Sequence, residues 1–249
     1  VTNFGKEVAG SCRVILDEIE RVENRNMAYL GHVTGTLRVS VVSTGKYVMP
    51  FFFSEFMEKY PGIHLNMDVT NKSKVVRSIE KNDVDFALVS VLPKGFAIEQ
   101  IKLMKNQLFL VAKKDKSENP TIQSAKDLEN VTLLFRENGS ATRMAMEAYL
   151  KQKKVQVNRS MELTSNEAIK QAVLAGLGYS IMPIIGIMNQ LKNEELEIIN
   201  LPCLPMVTYW NLIWLKSKSL SPAAELYLKY IEEKKEEIIQ NHFAWYTDF

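Results

Sequence analysis

The alternation of strand-like and helix-like segments constrains the fold of this chain more than any other feature. From Thr36 onward, apolar runs rich in β-branched residues, such as 37–42 (LRVSVV) and 84–89 (VDFALV), alternate with stretches of helical spacing such as 47–60. Proline, glycine and asparagine occupy the joins between them, as turn residues do. Repeated βαβ units predict a mostly parallel sheet with helices on both faces.

The same alternation restarts after residue 113, which predicts a second lobe. Two strands are expected before that point, at 97–104 and 108–112, and a polar stretch over 113–120 marks the crossing. A β-prone run at 209–215 and a final helix then follow a complete second αβ series. A chain of 249 residues is long for one hydrophobic core and comfortable for two.

The first thirty residues predict one long helix with a narrow apolar seam. Its members are spaced close to a heptad repeat, and they are Phe4, Val8, Cys12, Ile15, Ile19 and Val22. A single narrow stripe favours pairing with a second helix, which makes this segment a candidate dimerisation helix. Packing of the stripe on the chain's own domain is the alternative. The pattern is lost over 24–35, which indicates a hinge or linker.

Composition and charge exclude several classes of protein. Thirty-one Lys and Arg against twenty-nine Asp and Glu leave a net charge of only +2, without the basic excess of a nucleic-acid-binding domain. No apolar run approaches the roughly 20 residues of a membrane span, and no export signal is visible. The two cysteines, Cys12 and Cys203, lie far apart and suit a reducing cytoplasm. We expect Cys203 to be a buried, unreactive thiol.

No catalytic, metal or cofactor motif stands out. The sequence has neither a G-x-S-x-G nucleophile elbow nor a phosphate-cradling G-x-x-x-x-G-K-[ST] loop, and its three histidines match no metal-ligand spacing. We therefore expect no enzymatic activity, no catalytic residues, no metal and no cofactor.

Four motifs in order resemble the effector-binding domain of LysR-type transcriptional regulators. The stretch 35–67 (GTLRVSVVSTGKYVMPFFFSEFMEKYPGIHLNM) resembles the start of that domain, and 71–87 follows its Asn-Ser-x-x-Val…Gly-Glu-x-Asp-x-Ala pattern in part. Downstream, 136–143 (RENGSATR) resembles Arg-Glu-x-Gly-Ser-x-Thr-Arg, and 165–183 resembles the family's Ser-x-Glu…Gly-x-Gly…Pro pattern. The first helix resembles the linker helix of the family.

The resemblance implies a fold of two Rossmann-like α/β lobes joined by two crossover strands, as in type II periplasmic binding proteins, preceded by a long linker helix. It implies a linker and dimerisation helix over 1–30, regulatory lobe I over 36–113 and 208–249, and regulatory lobe II over 114–207. It further implies a cytoplasmic regulator that forms a homodimer or homotetramer and binds a small effector between the lobes. The family's winged helix-turn-helix precedes the linker helix and is absent from this sequence, so DNA contact is expected only through that domain.

Two alternatives share the two-lobed fold. A solute-binding protein of a transport system is one, although the helix seam and the four motifs count against it. An enzyme with a catalytic cleft is the other. Fold alone does not separate the three.

Candidate effector-binding residues lie in loops that follow strands and open helices. Ligands of open α/β sheets bind beyond the carboxyl ends of strands, where helix N-termini favour anions. We therefore expect a small anion, such as a carboxylate or a sugar phosphate. The candidates are Ser43, Thr44, Gly45, Lys46, Thr70, Asn71, Ser90, Ser140, Thr142, Arg143, Ser165 and Asn166. Helix capping explains the Ser, Thr and Asn candidates equally well, and both cations are either effector partners or solvated.

Overall fold

The architecture is built from two α/β units that share long strands. The computed structural model describes residues 1–29, 33–114 and 122–248. Most of the predicted crossing at 113–120, and part of the predicted linker over 24–35, therefore lie outside the described residues. In chain order the elements are α1 (Asn3–Tyr29), β1 (Gly35–Val42), α2 (Met49–Lys59), β2 (Ile63–Thr70), α3 (Lys72–Glu80), β3 (Phe86–Val89), β4 (Ile98–Lys113), β5 (Thr132–Arg136), α4 (Ala141–Gln152), β6 (Arg159–Leu163), α5 (Asn166–Leu174), β7 (Ser180–Pro183), α6 (Met188–Lys192), β8 (Leu196–Ile199), β9 (Met206–Leu215) and α7 (Pro222–Phe243).

The sheets contain the parallel pairs that the βαβ pattern predicts. β1 pairs in parallel with both β2 and β3. The larger sheet runs in the order β2-β1-β3-β9-β4-β7, and β8 also pairs with β4. β5 and β6 form a second parallel pair, which contacts the start of β7 through a bridge between Leu133 and Tyr179. The two-lobed α/β fold joined by crossover strands is therefore confirmed.

The crossover strand β4 differs from its prediction. The sequence predicts two strands, at 97–104 and 108–112, whereas the structure has one strand of 16 residues. A register shift between Lys102 and Met104 marks a β-bulge, which lets a strand bend without ending. The polar residues between the two predicted strands conceal this continuity in the sequence. Asn106 is nevertheless buried within the strand, and its side-chain amide donates a hydrogen bond to the Thr208 hydroxyl of β9 at 3.0 Å.

Two apolar clusters form the core, and the larger one runs from the first unit into the second. On one face of the larger sheet, the Tyr227 ring of α7 stacks on Phe53 of α2 at 4.8 Å between centroids and meets Phe56 edge-on at 5.0 Å. A second core forms around Leu133 and Tyr149, both at most 2% exposed. The lobe boundaries at 36–113, 114–207 and 208–249 stay predictions.

Helix α1 presents its apolar seam to solvent. Phe4 is 74% exposed, Ile15 59% and Val22 63%. The seam is therefore exposed within this chain, and its pairing with a second helix stays a prediction. Within the part of the chain that the structure describes, no helix has both the length and the apolar character needed to cross a membrane.

The aromatic end of the chain docks on the chain itself. Residues Ala244–Asp248 form a 3₁₀ turn after α7, and Tyr246 is only 4% exposed. Its phenol oxygen accepts a hydrogen bond from the backbone N–H of Gln107, in the crossover strand β4, at 2.7 Å. Trp245 lines a pocket with Met188 and other residues of α6 and β8. This turn thus joins α7 to the crossover strand β4 and lies beside α6 and β8.

Cys203 is exposed, so the expectation of a buried thiol is wrong. The residue has a φ of +72° and lies in a turn between Pro202 and Pro205. Prolines cannot continue the neighbouring sheet, so the segment stays at the surface. There the thiol faces the Lys153 ammonium, with Nζ 3.1 Å from Sγ.

Candidate functional site

The loops that follow β1, β5 and β6 meet at one place between the two lobes. Ser43 follows β1, Arg136 ends β5, and Asn166 begins α5 just after β6. The Ser43 hydroxyl oxygen accepts a hydrogen bond from Arg136 Nη1 at 3.0 Å and another from Asn166 Nδ2 at 3.1 Å. We call these three residues the cross-lobe cluster. It lies beyond the carboxyl ends of parallel strands, where α/β proteins bind ligands.

The cross-lobe cluster presents hydrogen-bond donors. A hydroxyl oxygen has two lone pairs and one hydrogen. Because Arg136 and Asn166 engage both lone pairs of Ser43, its hydrogen is left to donate. Arg136 is buried, with a side chain only 3% exposed, and it also forms a bidentate ion pair with Glu137.

Tyr47 extends this site toward β7. Burial raises the pKa of its phenol, the Glu167 carboxylate raises it further, and the Arg136 guanidinium opposes both effects. The phenol therefore lies within electrostatic reach of both groups. A β-carbon on Gly186, in the 3₁₀ turn after β7, would lie 3.0 Å from the Tyr47 ring. Glycine at this position lets the ring reach the second lobe.

Lys46 and Glu167 add one charge of each sign. The Lys46 ammonium lies 5.0 Å from the centroid of the Tyr47 ring. The pKa of Glu167 is lowered, chiefly by a hydrogen bond from Gln171, and by Lys170 and Lys46 as well, while partial burial works against them. With Arg136, Glu137 and Lys170, whose ammonium pairs with Glu167 at 3.0 Å, the site thus carries three cations and two carboxylates.

A second contact across the lobes lies beside the cluster. The backbone N–H of Ser73, at the start of α3, donates to the Gly139 carbonyl oxygen at 3.2 Å. Gly139 has a φ of +86°, and a β-carbon there would lie 2.6 Å from the Ser73 hydroxyl oxygen. Lys72 Nζ also reaches the Met144 sulfur of α4 at 3.9 Å. The lobes are therefore also in contact between the start of α3 and the start of α4.

Three of the predicted effector contacts cap helices. The side-chain oxygens of Asn71, Ser140 and Ser165 accept hydrogen bonds from the backbone N–H groups of Lys74, Arg143 and Ala168. Capping accounts for these residue types without a ligand. Thr142 is buried in the first turn of α4.

Arg143 is placed apart from the cross-lobe cluster. Its guanidinium pairs with Glu147 at 2.7 Å and with Glu162 of β6 at 2.5 Å. Both glutamates raise its pKa, Glu147 more than Glu162. The same residues line a groove of about 490 Å³ between α4 and β6. Arg143 supports the site indirectly, because Nη1 donates to the Arg136 carbonyl oxygen at 2.8 Å.

The remaining candidates lie in lobe I. Thr44 is buried, and its hydroxyl oxygen accepts a hydrogen bond from Trp210 Nε1 at 3.4 Å. A β-carbon on Gly45 would lie 2.6 Å from the Leu88 side chain, so this glycine serves internal packing. Thr70 ends β2 and Ser90 follows β3, both half-buried.

Sequence reasoning missed Arg136, Glu137 and Tyr47. Arg136 and Glu137 open the RENGSATR motif, which drew attention to its second arginine instead. The position of Arg136 could have identified it as a site residue, because it directly follows the apolar run of β5. Within the described ranges, no group of three or more His, Cys, Asp or Glu side chains is placed to hold a metal ion.

Comparison with known proteins identifies the family of this chain. The model of the LysR substrate binding domain matches residues 30–236. A RuBisCO operon transcriptional regulator of Allochromatium vinosum is 32% identical over 93% of this chain and 77% of the relative. The transcriptional activator CmpR of Synechocystis is 30% identical over 93% and 76%.

Solved structures show the same relationship. The CcmR regulatory domain of Synechocystis, in complex with 2-PG, is 30% identical and superposes with a TM-score of 0.75, over 82% of this chain and 98% of that one. CbnR, a LysR family transcriptional regulator, superposes with a TM-score of 0.65 at 18% identity, over 94% of this chain and 82% of that one. These matches favour a regulator over a solute-binding protein of a transport system. The chain belongs to the family of LysR-type transcriptional regulators, and its residues 30–236 match the substrate binding domain of that family.

Proposed function

We propose that this domain senses a small anionic metabolite, which binds at the cross-lobe cluster. The observation that carries the proposal is Ser43, a lobe I hydroxyl held by Arg136 and Asn166 of the second lobe. Its free hydrogen and the Arg136 guanidinium are both donors, and charge-assisted donors favour carboxylates and phosphates. A relative that is 30% identical was solved in complex with 2-PG, which supports a small ligand of that kind.

A ligand in this position would change the balance between arrangements of the lobes. It would contact residues on both sides of the crossover strands and so favour one interlobe angle. A ligand shifts such an equilibrium only by its difference in affinity between the two states. The linker helix would pass that shift to the DNA-binding domains of an oligomer, a homodimer or homotetramer.

The exposed seam of α1 supports the oligomer. An apolar stripe on a solvent-facing helix is typical of a surface that binds a partner, and the heptad spacing suits a second copy of the same helix. We place the regulator in the cytoplasm and assign it no enzymatic activity, since the relatives are named as transcriptional regulators.

Isothermal titration calorimetry with 2-PG tests the proposal. We expect saturable binding to the unmodified chain and at least about a tenfold loss of affinity in Arg136→Gln and Ser43→Ala, because each removes a donor. Ser78→Ala is the matched control, since its hydroxyl bonds only within α3. Inorganic phosphate, a simple carboxylate and a neutral analogue distinguish the chemical classes. Equal binding by all variants would place the ligand elsewhere, and binding of neutral compounds alone would exclude an anion sensor.

A further inference from the structure

The only side chain that forms a bidentate ion pair with Arg136 in the described part of the chain belongs to the next residue. Glu137 Oε2 lies 2.8 Å from Arg136 Nε, and Oε1 accepts from Nη2 at 3.0 Å. Two parallel N–H···O bonds of this kind are also how an arginine binds the carboxylate or phosphate of a ligand. The edge of Arg136 that is best suited to an anion is thus already occupied.

We propose that Glu137 is a built-in competitor for the anionic group of the effector. This inference rests on the proposed function, since it concerns the same site. Glu137 neutralises Arg136, whose side chain is 3% exposed. Without such a partner, a buried guanidinium would be strongly unfavourable. An incoming anion takes over this role and displaces the Glu137 carboxylate, whose side chain is 16% exposed and lies nearer to water.

Charge balance makes this exchange selective. Arg136 and Glu137 already offset one another at the site, Lys170 pairs with Glu167, and Lys46 adds a further positive charge. A neutral ligand cannot replace Glu137 without leaving Arg136 unpaired. A ligand with one carboxylate replaces the Glu137 carboxylate by an equivalent group. A phosphate, in contrast, brings more negative charge and more acceptor oxygens. Competition from Glu137 therefore lowers the affinity for weakly binding anions and favours ligands that carry a phosphate.

The position of Glu137 also couples the exchange to lobe contact. Glu137 is two residues before Gly139, whose carbonyl oxygen accepts from the Ser73 backbone N–H of the other lobe. The Ser140 backbone N–H in turn donates to the Glu137 carbonyl oxygen at 3.2 Å, which closes a tight turn. Movement of Glu137 away from Arg136 therefore acts on the turn that holds the lobes together.

Titration calorimetry of Glu137→Gln with 2-PG and with inorganic phosphate tests the inference. Removal of the competing charge should lower the Kd for both probes by about tenfold, the change expected when one charge-assisted pair no longer has to be broken. Glu137→Ala must change affinity in the same direction, which guards against an effect specific to glutamine. Glu233→Gln is the matched control, since it removes a glutamate from an exposed ion pair with Lys229 on α7; its Kd should stay within twofold.

Unchanged or weaker binding in both Glu137 variants would overturn the inference, because it would make Glu137 a residue that positions Arg136 for the ligand. The proposed function is judged separately by Arg136→Gln. If that variant loses binding while the Glu137 variants do not gain it, only the competitor role fails. If the unmodified chain, Arg136→Gln and Glu137→Gln bind the probes equally, the proposed site fails and the competitor role fails with it.

Discussion

Gly139 and Ser73 touch across the two lobes so closely that a side chain on the glycine would overlap the serine hydroxyl. The glycine also has a φ of +86°, which side chains disfavour. Two separate constraints, backbone conformation and interlobe contact, therefore meet at one residue.

Gly139→Ala is expected to open the lobes and weaken ligand binding. The left-handed backbone costs an alanine about 1 kcal/mol, and the collision with Ser73 adds to that cost unless the lobes separate. Gly95→Ala is the control, because its φ is +107° but nothing lies within 4 Å of the added carbon. Small-angle scattering should show a larger radius of gyration for Gly139→Ala only. Equal radii for both variants would contradict a tight contact.

Tyr246→Phe should destabilise the fold through the contact with the crossover strand β4. The substitution removes the phenol oxygen that accepts from the Gln107 backbone N–H, and loss of such a buried hydrogen bond costs about 1 kcal/mol. Urea unfolding measures the loss. Tyr149→Phe serves as a comparison, since its hydroxyl makes only a long bond of 3.4 Å to the Pro202 carbonyl, and we expect a smaller effect. A Tyr246→Phe chain as stable as the unmodified one would show that this bond contributes nothing to stability.

Asp85 should be a structural residue of lobe I, although it belongs to a motif shared with regulators. Its carboxylate pairs with Lys218 at 3.2 Å and accepts from the Arg38 backbone N–H at 2.8 Å. Asp85→Ala leaves a largely buried lysine without its charge partner and should cost about 3 kcal/mol of unfolding free energy. Glu233→Ala, which breaks an exposed pair with Lys229, should cost less than about 0.5 kcal/mol. Equal losses in urea would refute this assignment.

Stability should fall at alkaline pH. Burial, with Glu55 adding to it, raises the pKa of Tyr230 to about 12, against about 10 in an unfolded chain. The folded chain thus retains a proton that the unfolded chain releases, so stability is complete below pH 10 and declines as pH rises from about 10 through about 12. Tyr230→Phe should make this decline shallower in urea unfolding between pH 8 and pH 11.5. Tyr29→Phe should not, because its ring is 91% exposed.

The seam of α1 should control the oligomeric state. Charges at two seam positions, in Ile15→Asp/Ile19→Asp, would place carboxylates in a paired apolar interface, where burial of an unpaired charge is unfavourable. Sedimentation velocity should then show a smaller species than the unmodified chain. Asn26→Asp adds a charge at another exposed position, and it should leave the oligomer intact. An oligomer that survives the double substitution would require a different interface.

Local pattern was sufficient to predict most of the elements. The β-branched run at 37–42 predicts a strand and the helical spacing at 166–174 predicts a helix. Both predictions succeed because burial of one face gives the apolar residues of an element a regular spacing. β4 was divided wrongly because Asn106 and Gln107 interrupt the apolar pattern although both are buried. The cross-lobe cluster was predicted only in part, since Ser43 meets Arg136 and Asn166 across separations of 93 and 123 residues. The sequence of one chain does not show which residues that are distant along it come into contact.

The place of β9 in the larger sheet has a consequence for biosynthesis. This strand lies between β3 and β4, yet the ribosome makes it long after both of them. At typical translation rates β4 waits roughly 5 to 20 seconds for its partner, and during that time its hydrogen-bonding edge is open to other chains. The segment from β5 to α5 is contiguous, so it can fold while the first lobe is still incomplete. Nascent chains that stall before β9 should therefore be the ones that chaperones have to protect.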